Sequence, residues 1–501
     1  MHKLLYKVGI TAAFASLLIL APKAHAATLS VVAGADGIGA NGQCQLSEAI
    51  QNINDQIQTY ADCAAGDSAN DTINLPSGTI TLTADLPQIT RSIKIVGTGM
   101  STSIIDGDSG QYRPIDISGA LLTGELSKFK VYNFKTAGIA TDIKDTILDQ
   151  IEIEAPNNSS GMGEIRALFL DSTFGQNSTL TASNIYIHNI SGSYGSMHGF
   201  VVSKVNGGTF DTNIHNVTVA DIHNNLNNGA LNTFIFAVGP YHGFGGAGSI
   251  TTNTYNVTIH DVTSPSGVSG FGTVAFGGGG TADVQGTFRN VTVTGVKGGM
   301  SPFGTSSIGF LSAAGGMQNG DVGTSNITAQ NVILADNGTN GVPSSCAALD
   351  VSPLFNMQGS GTATITSLGH NISDDATCSS FNQPGDQQNV SNLVSTLGPL
   401  QNNGGLTPTR ALLAGSPAIG AGTYVLGIST DQRGVARPTS NPDIGAYQTA
   451  QSANTDTPGS QTGQPLLPDT GDNEYGYLFI ALGLVAISCA AIFRSVRYTV
   501  T

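Results

Sequence analysis

Asp221 and Asp261 stand in equivalent places of a repeated motif, each five residues after the asparagine of an Asn-Val-Thr segment, Asn216 and Asn256. If the repeats are neighbouring strands, the two carboxylates lie about 5 Å apart. A pair at that spacing could bind Ca²⁺ or divide the roles of a glycosidase. His188 and His260 fall four residues after Asn184 and Asn256. Two rungs at ~4.8 Å put them about 9.6 Å apart, too far to share a metal ion bound at ~2 Å. Asp431-Gln432-Arg433-Gly434 sets a carboxylate beside a guanidinium. Such forks are a common structural device, and the reading here is a buried Arg–Asp pair that locks the last rung. For Asp221 and Asp261 the scarcity of true sites among such pairs favours solvated turn aspartates. The chain has no Trp for sugar stacking. No catalytic residue, metal ligand set or cofactor is assigned.

The elements that would position these residues repeat along the chain. Asn184-Ile-Tyr-Ile, Asn216-Val-Thr-Val, Asn256-Val-Thr-Ile, Asn290-Val-Thr-Val and Asn326-Ile-Thr-Ala follow one another at spacings of 32, 40, 34 and 36 residues. A second apolar series runs between them: Ala167-Leu-Phe-Leu, Phe200-Val-Val, Phe234-Ile-Phe, Thr273-Val-Ala-Phe and Ile308-Gly-Phe-Leu. Each repeat thus offers at least two short strands joined by Gly, Asn and Ser turns, with no helical pattern between them. Parallel strands without crossover helices make a solenoid, here a right-handed, single-stranded parallel β-helix. Alternation turns the Val and Ile inward and the Thr outward, and the asparagines stack rung on rung. Regular hairpin turns, which a β-sandwich array would need, are missing.

Composition agrees. Gly is 65 of 501 residues and charged residues are 11%, well below the ~25% of ordinary globular domains. The excess of 34 acidic over 19 basic residues argues against nucleic acid or anionic lipid as a partner, since both need a basic surface.

Both ends read as addresses. Lys3 and Lys7 precede the apolar run Ile10–Ala21, and Ala24-His25-Ala26 is a small-x-small cleavage site. Residues 1–26 are therefore a signal peptide, cut after Ala26 with Ala27 the neighbouring alternative. At the other end Leu467-Pro468-Asp469-Thr470-Gly471 precedes a polar spacer, an apolar run Tyr477–Phe493, and Arg494 and Arg497. Seventeen helical residues span about 26 Å, enough to hold the chain in a bilayer, and the arginines keep the tail cytoplasmic. This order resembles the Gram-positive cell-wall sorting signal. The resemblance implies that a sortase cleaves after Thr470 and joins its carbonyl to a peptidoglycan or other wall amine. A plain C-terminal membrane anchor is the other reading. Residues 449–466, rich in Ser, Thr, Gln and Pro, form a flexible linker to residues 467–501.

Between them lies one domain, 27–448, of roughly 420 residues. Gly42-Gln-Cys-Gln-Leu-Ser-Glu-Ala-Ile50 is similar to the CSLREA-type motif of bacterial surface β-helix proteins, with Gln45 and Ser47 departing from it. Asp71-Thr-Ile-Asn-Leu75, Gly78-Thr-Ile-Thr-Leu82 and Ile93-Lys-Ile-Val-Gly97 continue that likeness. Residues about 40–66 form the cap, in which Leu46–Asn54 is a short amphipathic helix over the open end of the solenoid. From about 346 to 448 the chain resembles the choice-of-anchor Q family. The matching residues are Leu397-Gly-Pro-Leu400, Asn403-Gly-Gly-Leu-Thr-Pro-Thr409, Gly415-Ser-Pro-Ala-Ile419, Asp431-Gln-Arg-Gly434, Arg437-Pro438 and Asp443-Ile-Gly-Ala-Tyr447. That family joins a β-helix to varied surface anchors. In an exported chain, pairing by region links Cys44 to Cys63 and Cys346 to Cys378, leaving Cys489 in the apolar run.

The expectation is a secreted protein held at the cell wall, with a β-helix for adhesion or for binding a surface glycan or protein. The rival is a surface polysaccharide lyase or glycoside hydrolase on the same fold. Clustered carboxylates with Arg or Lys in a groove would favour the enzyme, and a smooth polar face the binder.

Overall fold

Alternating Thr, Val and Ile segments pair in parallel, each with the segment one repeat away. The computed structural model describes residues 26–67, 70–156, 163–226, 233–239, 247–299, 307–339, 342–353 and 356–450. Of the expected signal peptide 1–26, residues 1–25 lie outside the described residues, as do the expected sorting residues Leu467, Pro468, Asp469, Thr470 and Gly471, the apolar run 477–493 and Cys489. No helix among the described residues is long and apolar enough to cross a membrane.

Short strands open the fold: β1 (Thr28–Ser30), β2 (Gly34–Ala35), β3 (Asp71–Asn74), β4 (Gly78–Thr81), β5 (Ile93–Val96) and β6 (Ser103–Asp106). Longer ones follow: β7 (Ile115–Tyr132), β8 (Ala137–Ala155), β9 (Glu164–Ser172), β10 (Ser178–Gly192), β11 (Ser196–Lys204), β12 (Thr209–Asn224), β13 (Thr233–Val238), β14 (Gly248–Ser264), β15 (Val268–Gly277), β16 (Thr281–Gly298), β17 (Ile308–Gly316) and β18 (Val322–Ala335). The series closes with β19 (Gly338–Thr339), β20 (Val342–Pro343), β21 (Cys346–Asp350) and β22 (Ser360–Ser367). One parallel ladder runs β7–β8–β10–β12–β14–β16–β18–β22. A second leaves the start of β8 and runs β9–β11–β13–β15–β17–β21. The whole is one large, curled, parallel-rich sheet, so the fold is all-β and solenoid-like.

Asparagine fills a left-handed corner on β10, β12, β14, β16 and β18, where β7 and β8 carry Lys128 and Gln150. Its φ is +56° at Asn184 and Asn216, +55° at Asn256, +54° at Asn290 and +55° at Asn331. Among residues with a Cβ, Asn tolerates this conformation because its short amide bonds locally. Here the amides also bond along the stack: Asn216 Nδ2 donates to Asn184 Oδ1 (3.3 Å), Asn256 to Asn216 (3.3 Å) and Asn331 to Asn290 (2.9 Å). The fifth member is Asn331, not Asn326. Asn326 lies opposite Gln285, five positions before the corner, because Asn326-Ile-Thr-Ala imitates the motif that Asn331-Val-Ile-Leu occupies.

Residues flanking the Thr after each corner turn inward, and Val217, Val219, Val257, Ile259, Val291 and Val293 are all fully buried. On the second ladder Phe200, Phe236, Phe271 and Phe310 form one column, with successive ring centroids 4.8, 4.5 and 5.7 Å apart. Each such contact adds about 0.5–1.5 kcal/mol beyond area burial.

Both ends are plugged. Helix α1 (Leu46–Asp55) buries Leu46, Ala49, Ile50 and Ile53 against the first rungs. Glu48 accepts the N–H of Gln45 at its start (3.2 Å), and Asn52 Nδ2 holds the following loop by the carbonyls of Tyr60, Cys63 and Ala64. The Cys44–Cys63 disulfide staples this cap. At the far end Cys346–Cys378 ties β21 to a segment whose Cys378 and Phe381 close the core. Both disulfides are those expected. Residues 397–449 then turn back along the outside of the solenoid, and the unit up to Ala450 closes its core within itself.

Candidate functional site

Five residues after each asparagine corner stands a second left-handed corner, filled by Asn189, Asp221, Asp261, Gly295 and Asp336. The register Ala220↔His260 and Ile222↔Val262 sets Asp221 directly beside Asp261, as the repeat implies. His223, which the sequence reading passed over, completes a trio whose ligand atoms lie within 4.8 Å of one another. Its Nε2 is 3.8 Å from Asp261 Oδ2, and its Nδ1 is 2.8 Å from Thr263 Oγ1. All three side chains are open to water. His188 and His260 share a column with Ala220 between them, two rungs apart, and meet no common partner.

The Asp431–Gly434 motif locks something other than the last rung. Arg433 forks onto Asp431 Oδ2 through Nε (2.9 Å) and Nη2 (2.7 Å), and its guanidinium lies 3.6 Å over the Tyr447 ring. This knot holds residues 397–449 in shape as a clasp on the flank. The outward Thr218, Thr258 and Thr292 are buried beneath it. Thr218 Oγ1 donates to Pro408 O (2.6 Å), Ala446 N donates to Thr292 Oγ1 (3.1 Å), and Asn331 Nδ2 donates to Thr423 O (2.8 Å). The polar stripe expected to face solvent is therefore an internal docking surface.

The same outward columns continue beyond the clasp onto β7, β8 and β10. There Lys130 bridges Glu152 (2.9 Å) and Glu154, and His188 Nε2 lies 3.0 Å from Glu152 while stacking on Tyr186 at 3.9 Å. Burial raises the Glu152 carboxyl, but the bonds from His188 and Lys130 outweigh it and hold it low. A metal ion at Glu152, Glu154 and His188 would have to displace Lys130.

A cleft on the second ladder was not legible from the repeats. Arg166 on β9 pairs with Glu164 and stacks its guanidinium 4.1 Å over the Phe169 ring. Opposite Arg166 on β11, the buried His198 places Nε2 2.9 Å from Glu164 Oε1. Its Nδ1 accepts the N–H of Phe234 (3.3 Å), which leaves the proton on Nε2. Burial would raise Glu164, but the bonds from His198 and Arg166 prevail and bring it to about 2. Arg113, Thr136, Ala137, Ala140, Glu164, Arg166 and Phe169 line a cleft of ≈ 290 Å³, with His198 buried behind Glu164. Arg166 Nε is buried without a hydrogen-bond partner among the described residues. One signal was available: Arg166 and His198 are 32 residues apart, the spacing of Asn184 and Asn216.

Two positions past Ala140 and Phe169 on the same strands, Asp142 and Asp171 face each other in register. Thr173 donates its N–H (2.9 Å) and Oγ1 hydrogen (2.5 Å) to Asp142. Asp171 is only 4% exposed. Burial, and after it the charge of Asp142, push its carboxyl up to about 7. The buried Lys204 bonds Ser172 Oγ (2.9 Å) and Gln176 O (2.6 Å) close by, its own pKa lowered by burial. A carboxyl that burial holds protonated beside an open cleft is a group that acid chemistry can use. No protein-family model matches this chain, and no curated protein sequence matches it.

Proposed function

We propose that this is an exported bacterial surface protein whose right-handed, single-stranded parallel β-helix is held at the wall by a sortase and binds a surface glycan or protein. The order of LPDTG, apolar run and arginines supports anchoring, as do the choice-of-anchor Q-like residues from 397 to 447. Two disulfides suit an oxidising compartment.

The observation that carries the binding reading is the posture of Arg166. Glu164 and Phe169 hold the guanidinium still at the wall of the cleft, and Arg113 lines the same cleft. Fixed, planar donors of this kind suit the carboxylate or paired hydroxyls of a saccharide, or an acidic side chain. A polysaccharide-cleaving activity is the second reading, favoured by the in-register Asp142 and Asp171 beside that cleft, the latter with its carboxyl pushed up by burial.

A glycan array and a polysaccharide-degradation screen on the wild type, Arg166→Ala and Asp142→Asn separate the two. Loss of a charge-assisted bond of about 1.5–3 kcal/mol should weaken binding by Arg166→Ala at least tenfold, with Asp142→Asn unchanged. Unaltered binding by Arg166→Ala would remove the cleft from consideration. Cleavage by the wild type that Asp142→Asn abolishes, with binding kept, would put the enzyme reading first.

A further inference from the structure

The last strand of the first ladder, β22, is paired on one side alone. It joins β18 in unbroken register from Val322↔Ser360 to Ala329↔Ser367. Among the described residues nothing pairs with its other edge. Cys378 and Phe381 close the core nearby, yet Ala363 and Ile365, which point inward, are only partly covered.

The phase of that free edge follows from its two ends. Ser360 donates its N–H to Asp321 O (3.1 Å) and Leu368 donates to Ala329 O (2.8 Å), so the even-numbered residues bond toward β18. Parallel ladders alternate, and the N–H and C=O groups of Gly361, Ala363, Ile365 and Ser367 therefore face outward. Natural proteins guard such edges with charge, Pro or a bulge. Ser360-Gly-Thr-Ala-Thr-Ile-Thr-Ser367 itself has none of these, and the one carboxylate at its C-terminal end, Asp386, is engaged by the buried Ser367 hydroxyl (2.6 Å). Asp350, which lies against Gly361, is tied to the N–H of Ser352 (2.9 Å).

We propose that β22 is a self-association edge that pairs antiparallel with β22 of a second copy about a two-fold axis at Thr364. In that register Ala363 faces Ile365 of the copy, small against large on the inner side, and Thr362 faces Thr366 on the outer side. Gly361 faces Ser367. All the residues whose backbone groups point outward then meet one another, which is the parity an antiparallel ladder requires. An isologous contact of this kind closes after two copies. The other end of the solenoid is covered by α1, so stacking does not propagate into a fibre. Elsewhere a chain of net charge −15 repels its copy, whereas this strand is uncharged.

Sedimentation velocity and hydrogen exchange on the full chain and on residues 26–450 test this. Twice the chain mass is expected for both, with slow amide exchange at Gly361, Ala363, Ile365 and Ser367. Ala363→Pro removes a donor that does not face β18, and Thr364→Lys sets two like charges opposite each other on the axis. Both should be monomers that keep wild-type circular dichroism, with fast exchange at those four amides. A wild type that stays monomeric up to 100 micromolar or so overturns the proposal. So does a dimer that survives both variants. A dimer of 26–450 beside a monomeric full chain would assign the edge to the chain's own tail and overturn it equally.

Discussion

Thr258 on β14 donates its Oγ1 hydrogen to Gln432 Oε1 at 2.7 Å, across 174 positions of chain. The amide nitrogen of Gln432 returns to Thr218 Oγ1 on β12 (2.6 Å) and to Thr407 Oγ1 (2.9 Å). One buried side chain thus joins two rungs to both halves of the clasp. Gln432→Leu would leave Thr258 without its acceptor under a dry surface. We expect it to lower stability by about 1–3 kcal/mol. Limited proteolysis should then cut within 397–449 before the rungs lose their strand signal in circular dichroism. Cleavage there at the wild-type rate would mean that Gln432 is not what holds the clasp.

That contact also marks where reading the sequence stopped. Alternation in Asn-Val-Thr-Val says which side of the strand Thr218 and Thr258 take, and they do point away from the core. It does not say what lies over them, because burial by a segment nearly two hundred residues away leaves no local pattern. The corners were legible where a left-handed residue selects Asn or Asp, as it does from β10 to β14, and so the pairing of Asp221 with Asp261 was too. The slip at Asn326 came from a strand that carries the same letters five residues early. The Arg166 cleft escaped because Arg166 and His198, although one repeat apart, are different residue types, and only a recurring type announces itself in a solenoid.

The disulfides close loops of 19 and 32 positions. By chain entropy each is worth about 3–4 kcal/mol. Cys346 and Cys378 also hold Phe381 over the end of the core, so the double change to Ser should unplug that end first. Denaturant midpoints should fall more for this pair's removal when Phe381→Ala is absent than when it is present. Mass spectrometry of non-reduced peptides should link Cys44 to Cys63 and Cys346 to Cys378. Crossed links would refute separate staples at the two ends.

Anchoring is testable without a ligand. On the proposed anchoring a sortase reads the threonine side chain of the pentapeptide before it cuts, so Thr470→Ala should shift the protein from purified wall to the membrane fraction or the medium. The folded unit ends on its own flank, where Gln448 N–H bonds Asp431 Oδ2 (2.9 Å) and Thr449 N–H bonds Asp443 Oδ2 (2.5 Å). A tail leaving there pulls on the clasp rather than on a terminal rung. Covalent wall attachment that persists in Thr470→Ala would reduce the tail to a membrane anchor at most.

Asp171 gives the fold a pH dependence of its own. In the folded chain burial and Asp142 keep its carboxyl protonated up to about 7, while an ordinary Asp releases its proton near 3.8. Folding therefore takes up a proton between those values, and stability must fall as pH rises from about 4 to 7 and then level off. A difference of that size is worth about 4 kcal/mol at most. Arg166 and Lys204 face the same carboxyl and temper it. Glu164 acts with the opposite sign: its contribution is present above 4.5 and lost only as pH falls toward 2. His215 and His260, lowered chiefly by burial, favour folding as pH rises through 6.5 and so mask part of the Asp171 slope in the wild type. The comparison with Asp171→Asn cancels them. That variant keeps a neutral group in the site and should gain on the wild type steadily from pH 4 to 7, ending more stable at pH 8. Parallel stability curves for the two proteins across that range would show that Asp171 ionises freely in the folded state, and with it the acid role beside the Arg166 cleft would go.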